Sequence, residues 1–223
     1  MRRQKYFNGQ DKQKLKLLIQ EKTGYCIRSS CALSQAFRRR SFCVEQEGKS
    51  NEMFEFIDIA KMAIKVLKDN IKCLINCAEK GCFKKPTEYS ADDVDASLAG
   101  LKGMVLCSAK TLRVKNEQDL KIVNVMSSAA LKGNKNESLY CAVKWGERGY
   151  TESLKTEYKG TSVKVVGVYP GGMNTGFWNE SRDYISEEKS NTFMSPADVA
   201  KVILDNVLNY DDLNIADIVI ERK

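Results

Sequence analysis

Tyr140 and Lys144 stand four residues apart in residues 138–158 (SLYCAVKWGERGYTESLKTEY), a segment whose spacing predicts a helix. On one face of that helix the phenol and the ammonium are neighbours. An ammonium beside a phenol favours phenolate and is expected to lower the tyrosine pKa from its free value of about 10. A tyrosine tuned that way exchanges a proton with a carbonyl or alcohol oxygen near neutral pH. With nine tyrosines in a lysine-rich chain, about one such pair arises by chance, so the spacing alone decides nothing. Ser127 and Ser128 follow an apolar run, residues 121–126 (KIVNVM). That puts two hydroxyls just past a strand's carboxyl end, where an open sheet carries its reactive groups.

The elements that would hold these groups are legible from residue 71 onward. Residues 71–76 (IKCLIN) read as a buried strand, 92–112 as a helix, and 121–126 as a strand. After the helix at 138–158 come a strand at 163–169 (VKVVGVY), a helix at 196–208 and a last strand at 215–220. Ser195 is a plausible cap for the 196–208 helix, with Pro196 at its first position, where a missing N–H costs nothing. Strands alternating with helices predict an α/β fold: a Rossmann-like, doubly wound parallel sheet with its ligand at the strands' carboxyl ends. Upstream, residues 15–19 are a candidate first strand, 31–40 a helix, 42–44 and 54–59 short strands, and 60–70 a helix. There is no room for a full helix between Val44 and Phe54, so one crossover of the first half is shortened or missing. Residues 1–13 read as a basic, flexible leader and 14–223 as one domain.

The succession NVMSSAA, a short loop, then SLYCAVKWGERGYTESLKTEY resembles the Asn-x-x-Ser … Tyr-x-x-x-Lys signature of short-chain dehydrogenases/reductases. VKVVGVYPGGMNT, which follows, is similar to that family's strand, Pro-Gly and threonine. The resemblance spans about 60 residues and implies a NADP- or NAD-dependent oxidoreductase acting on a small carbonyl or alcohol. It implies roles as well. Tyr140 would donate the proton, while Lys144 would lower its pKa and hold the nicotinamide ribose. Ser127, thirteen residues before the tyrosine, would hydrogen-bond the substrate oxygen, and Pro170, Gly171 and Thr175 would flank the nicotinamide. Hydride transfer itself would belong to the cofactor. The equivalent helix of the family commonly packs on a partner subunit, which implies a homodimer or homotetramer. Residues 174–193, with Phe177, Trp178 and Tyr184, lie where the family has its substrate-covering loop.

Upstream the sequence departs from the pattern. The family's Thr-Gly-x-x-x-Gly-x-Gly lets bare backbone approach a pyrophosphate. Thr23-Gly24-Tyr25-Cys26-Ile27-Arg28-Ser29-Ser30 falls in that place, with Arg28 and Ser30 for the second and third glycines. Arg28 obstructs the close approach and also offers a fork of phosphate donors; the sequence leaves both open. Asn76-Cys77-Ala78-Glu79 occupies the place of the family's Asn-Asn-Ala-Gly, where a carboxylate pointing inward would repel phosphates. Ser97 stands where the family carries an active-site asparagine supporting a proton-relay water. Asp58 corresponds to the adenine-side aspartate. Lys49, after the second strand, favours the 2′-phosphate of NADP or is a surface lysine.

Composition narrows the alternatives. The net charge is +7, of which residues 1–22 contribute +5, so a basic leader rather than a basic groove is present and nucleic-acid binding is not expected. No apolar run approaches the roughly 20 residues of a membrane span, and no signal peptide is recognisable, so the expectation is a cytoplasmic protein without a membrane partner. Eight scattered cysteines and no histidine read as buried free thiols rather than a metal site, Cys73, Cys77 and Cys82 included. Two functions stay open: an active reductase, or a degenerate member serving as a binding or oligomerisation module.

Overall fold

The computed structural model describes residues 25–27, 42–44, 71–209 and 213–223. Within them six strands form one sheet: β1 (Tyr25–Ile27), β2 (Phe42–Val44), β3 (Cys73–Asn76), β4 (Lys121–Val125), β5 (Lys164–Pro170) and β6 (Asp217–Ile220). Their order is β2-β1-β3-β4-β5-β6, and all five pairings are parallel. The order reverses between β1 and β3, the topological switch point beside which open α/β sheets bind ligands. The expected Rossmann-like architecture is present.

Alternation along the strands assigns the two faces. Leu74, Ile122 and Val165 face one way and pack with Cys107 of α1 (Ala91–Lys115) and Leu154 of α2 (Ser138–Glu157). Cys73, Ile75, Val123, Val125, Val166 and Val168 face the other way, onto Val199, Ala200 and Ile203 of α4 (Pro196–Leu208). In chain order the short helix α3 (Glu187–Asn191) comes between α2 and α4. Serines cap the starts of α1 and α4, the latter as the sequence suggests. Ser90 accepts from the Asp93 N–H while Asp93 accepts from the Ser90 N–H, and Ser195 accepts from the Asp198 N–H with Pro196 behind it. Side chains pointing between sheet and helices also carry a polar ladder. The Asn76 amide donates to Asn124 Oδ1 (2.8 Å) and Ser108 Oγ (3.1 Å), and the Asn124 amide to Thr151 Oγ1 (2.9 Å).

One placement needs correcting. Residues 25–27, assigned by the motif comparison to a phosphate loop, are a strand hydrogen-bonded between β2 and β3. An aromatic, a thiol and a β-branched residue suit a strand flanked on both sides better than a bare-backbone loop. Thr23 and Gly24 therefore precede β1 in sequence. Those two residues, with Arg28, Ser30, Lys49 and Asp58, the strands at 15–19 and 54–59, and the helices at 31–40 and 60–70, lie outside the described residues. The five described cysteines are free thiols. No described helix is long and apolar enough to cross a membrane.

Candidate active site

Because every strand runs the same way, the segments after β3, β4 and β5 emerge along one edge, bringing Glu79, Ser127 and Thr175 to the carboxyl ends of adjacent strands. Helix α2 then crosses behind that edge. Its inward stripe is Tyr140, Val143, Lys144, Glu147, Thr151 and Leu154, all buried. The 3-4 spacing that normally carries a core stripe here carries a phenol, an ammonium, a carboxyl and a hydroxyl.

Ser127 is fixed by its own turn. Its oxygen accepts the Ala129 N–H at 3.1 Å, capping the 3-10 turn Ser128–Ala130. That leaves its O–H as a donor, and it hydrogen-bonds Tyr140. Of the two adjacent serines, this is the one joined to the phenol. Lys144 Nζ lies 5.6 Å from the centre of the Tyr140 ring.

The expected fall in the Tyr140 pKa does not occur. Burial pushes the phenol up, to about 12, outweighing the downward pulls of Lys144 and the Ser127 hydrogen bond, while Glu79 and Glu147 add to the rise. The ammonium's influence is blunted because it does not face the phenol alone. Lys144 Nζ donates to Glu147 Oε2 at 2.8 Å and to Glu79 Oε2 at 3.0 Å, and the Lys144 and Glu147 side chains are only 2% and 1% exposed. Burial disfavours this ammonium, but Glu147, Glu79 and Tyr140 more than offset it, so Lys144 stays charged with its pKa well above the usual value.

Glu79, which replaces a glycine in the motif comparison, turns its carboxylate toward the place where α1 and α2 meet. There it sits against Gly100 of α1: a Cβ at that position would come within 2.5 Å of Glu79 Oε1. Ser97, buried on α1, is one turn before Gly100 and on the same face. Asn76 is at the end of β3, but its amide is engaged in the internal ladder rather than presented at the edge. Ala78 packs against the core on the α1/α2 side. Pro170 ends β5, and the Gly171 N–H bonds Ile220 at 2.9 Å. Thr175 is buried, its oxygen accepting the Phe177 N–H at 3.3 Å.

Aromatic rings wall the phenol. Phe83 lies 5.3 Å from the Tyr140 ring and 5.3 Å from Trp178, and stacks on Tyr184 at 5.0 Å with 5° between planes. Phe177 is 5.9 Å from Tyr140. Phe177, Trp178 and Tyr184 of residues 174–193 supply rings of this wall, and its hub, Phe83, is a residue the sequence did not single out. The signal was Gly81: a Cβ there would stand 2.7 Å from Phe177 Cζ and collide with the Phe83 ring edge, so the glycine clears space for both rings. Glu147 also escaped notice. Its signal was a glutamate three residues after Lys144, in phase with the buried stripe.

Comparison with known proteins agrees with this geometry. Residues 42–185 match the family model for short chain dehydrogenase, well over half of the chain. The chain belongs to the short-chain dehydrogenase family. Among curated proteins it is 25% identical over 157 residues to a sepiapterin reductase of Chlorobaculum tepidum, an alignment covering 69% of this chain and 63% of that protein. The chain thus spans less than two thirds of that relative. A short-chain dehydrogenase/reductase from Vibrio parahaemolyticus superposes with a TM-score of 0.67 at 25% identity, over 89% of this chain and 88% of the other. The closed form of a serine dehydrogenase complexed with NADP+ shares the fold, with a TM-score of 0.69 at 18% identity over 92% of this chain and 87% of the other.

Proposed function

We propose that the chain is a nicotinamide-dependent oxidoreductase that reduces a small carbonyl compound, or oxidises the alcohol, with Tyr140 as proton donor. The observation that carries this reading is the buried phenol joined to Ser127 at the carboxyl edge of the sheet, with a permanently charged Lys144 beside it.

The described residues fit the nicotinamide end of such a cofactor. An ammonium has three donors; Glu79 and Glu147 take two, which leaves one for a ribose hydroxyl. A neutral ribose tolerates the nearby Glu79 carboxylate, whereas a phosphate would not, so the phosphates belong farther along the switch-point crevice. When bound, the nicotinamide supplies or takes the hydride. Ser127 and Tyr140 would orient the substrate oxygen, and Tyr140 would pass it a proton as charge develops there. Pro170, Gly171 and Thr175, following β5, would flank the nicotinamide. NADP(H) is favoured over NAD(H) by Lys49, which follows β2 in sequence. Ser97 would support the proton path from α1, and Asn76 would act indirectly, by holding the end of β3. Arg28 and Ser30, which follow β1 in sequence, with Ala78 and Asp58, would serve the remainder of the cofactor.

The relatives' names fit the same reading: one is a sepiapterin reductase, and a fold neighbour is complexed with NADP+. Exposed Leu98 on α1 and Trp145 on α2 support a homodimer or homotetramer through those helices. The test is turnover. With NADPH and a panel of aryl, alkyl and charged carbonyl compounds, NADPH is expected to disappear in step with alcohol formation for at least one uncharged member. If the whole panel is left unreduced by protein that demonstrably binds NADPH, the carbonyl assignment is wrong.

A further inference from the structure

Three ionisable side chains meet in one nearly dry place. Were Lys144, Glu79 and Glu147 all ionised, the cluster would bury a net negative charge, which a protein interior resists. The geometry offers a different solution. Glu79 and Glu147 both reach the same ammonium, at 3.0 and 2.8 Å, which brings two buried carboxyls to a single cation. Two carboxylates against one ammonium leave an excess negative charge in a buried place, and one proton held by the pair removes it. Burial and the neighbouring Glu79 push Glu147 well above the ordinary carboxyl range, against the pull of Lys144.

The setting is built around this arrangement. The Lys80 N–H donates to Glu79 Oε1 at 2.8 Å. Gly100 leaves a notch in α1 that the carboxyl fills, since a Cβ would lie 2.5 Å and 2.6 Å from its two oxygens. The backbone of Glu147 is held in turn by the Thr151 hydroxyl at 2.7 Å.

We propose that Glu79 and Glu147 are positioning residues for proton transfer at Tyr140: they share one proton, clamp the Lys144 ammonium from two sides, and keep the three-group cluster neutral. The proposal rests on the oxidoreductase reading only for its consequence in catalysis. The titratable and charged groups facing Tyr140 are Lys144 and Glu147 on α2 and Glu79 after β3; Ser127 supplies a hydrogen bond, and α1 meets the cluster with Gly100. While the shared proton is present, one carboxylate cancels the ammonium. Once it is lost at higher pH, the cluster turns negative and phenolate formation becomes harder. The sign for stability follows: Glu147 has a folded pKa above its ordinary 4.5, so its contribution is complete below that value and is lost as pH rises through the folded pKa.

Two measurements test this separately from each other. Difference infrared spectra at pH 7 should show the carbonyl stretch of an un-ionised carboxyl in the wild type. It should be lost in Glu147→Gln and equally in Glu79→Gln, because either change leaves a single carboxylate paired with the ammonium. No such band in the wild type, or a band surviving both changes, overturns the shared proton whether or not the protein is a reductase. In turnover, Glu79→Gln and Glu79→Gly should move the alkaline limb of the kcat/KM profile for reduction down by about one pH unit, since removing a negative charge near Tyr140 lets it ionise earlier. A purely structural role would depress the profile at every pH and leave its limb in place. That result, with the infrared band present, would remove the positioning role.

Discussion

Tyr140→Phe should cut kcat for carbonyl reduction by about 10²–10⁴, the usual range for losing a positioned general acid, while NADPH affinity stays nearly unchanged. The replacement keeps the ring, and with it the contacts to Phe83 and Phe177 at 5.3 and 5.9 Å. Only the hydroxyl and its hydrogen bond with Ser127 disappear. Leaving the Ser127 hydroxyl without that partner costs about 1 kcal/mol, small for a folded domain, so lost turnover will not be confused with unfolding. Stopped-flow observation of NADPH oxidation, paired with a thermal melt, separates the two. A variant that melts normally and turns over normally would remove Tyr140 from the proton step.

Lys144→Met should be the most damaging single change to the fold of this region. The ammonium lies between two buried carboxyls, and breaking a buried ion pair by deleting one partner costs about 3–5 kcal/mol. For a chain of this size that corresponds to a melting temperature roughly 10 °C lower. The loss should depend on pH in a defined direction. Without the cation, the burial that already holds the Glu147 carboxyl above the ordinary 4.5 goes unopposed, so the folded state binds a proton that the unfolded chain has released. Stability then declines as pH rises through the folded value, and the deficit relative to wild type is larger at pH 8 than near pH 5. Adding Glu147→Gln to Lys144→Met should recover part of it. A deficit that is the same at both pH values, or below about 1 kcal/mol, would show that the cluster is far better hydrated than its burial indicates.

The part of the candidate site around Tyr140 is legible in the sequence because its chemistry is tied to short-range spacing. Tyr140 and Lys144 share a helix face through a four-residue step, and Ser127 closes an apolar strand. Alternating valines and isoleucines in β4 and β5 fix which side chains enter the core. What escaped the sequence depends on contacts between distant residues. Glu79 meets Lys144 across 65 positions, so a lone glutamate in a glycine's place reads only as an intruder. Phe83 and Tyr184 stack across about a hundred residues. The direction of the Tyr140 shift was misjudged for the same reason: the effect of Lys144 is visible in the spacing, but the burial and the two carboxyls opposing it are not. At the other end, the upstream Thr-Gly pair points residues 25–27 toward a loop, whereas Tyr-Cys-Ile has the composition of the flanked strand it forms.

The central claim, that this short-chain dehydrogenase uses its phenol and clamped ammonium on a nicotinamide, is tested most directly by cofactor binding. NADPH and NADH fluorescence should be followed while each is titrated into the folded full-length protein. The account predicts saturable binding of at least one of them, tighter for NADPH, and weakened by Lys144→Met more than by Tyr140→Phe. Absence of saturable binding at millimolar concentrations of both would contradict it and favour the fold's use as a binding or oligomerisation module.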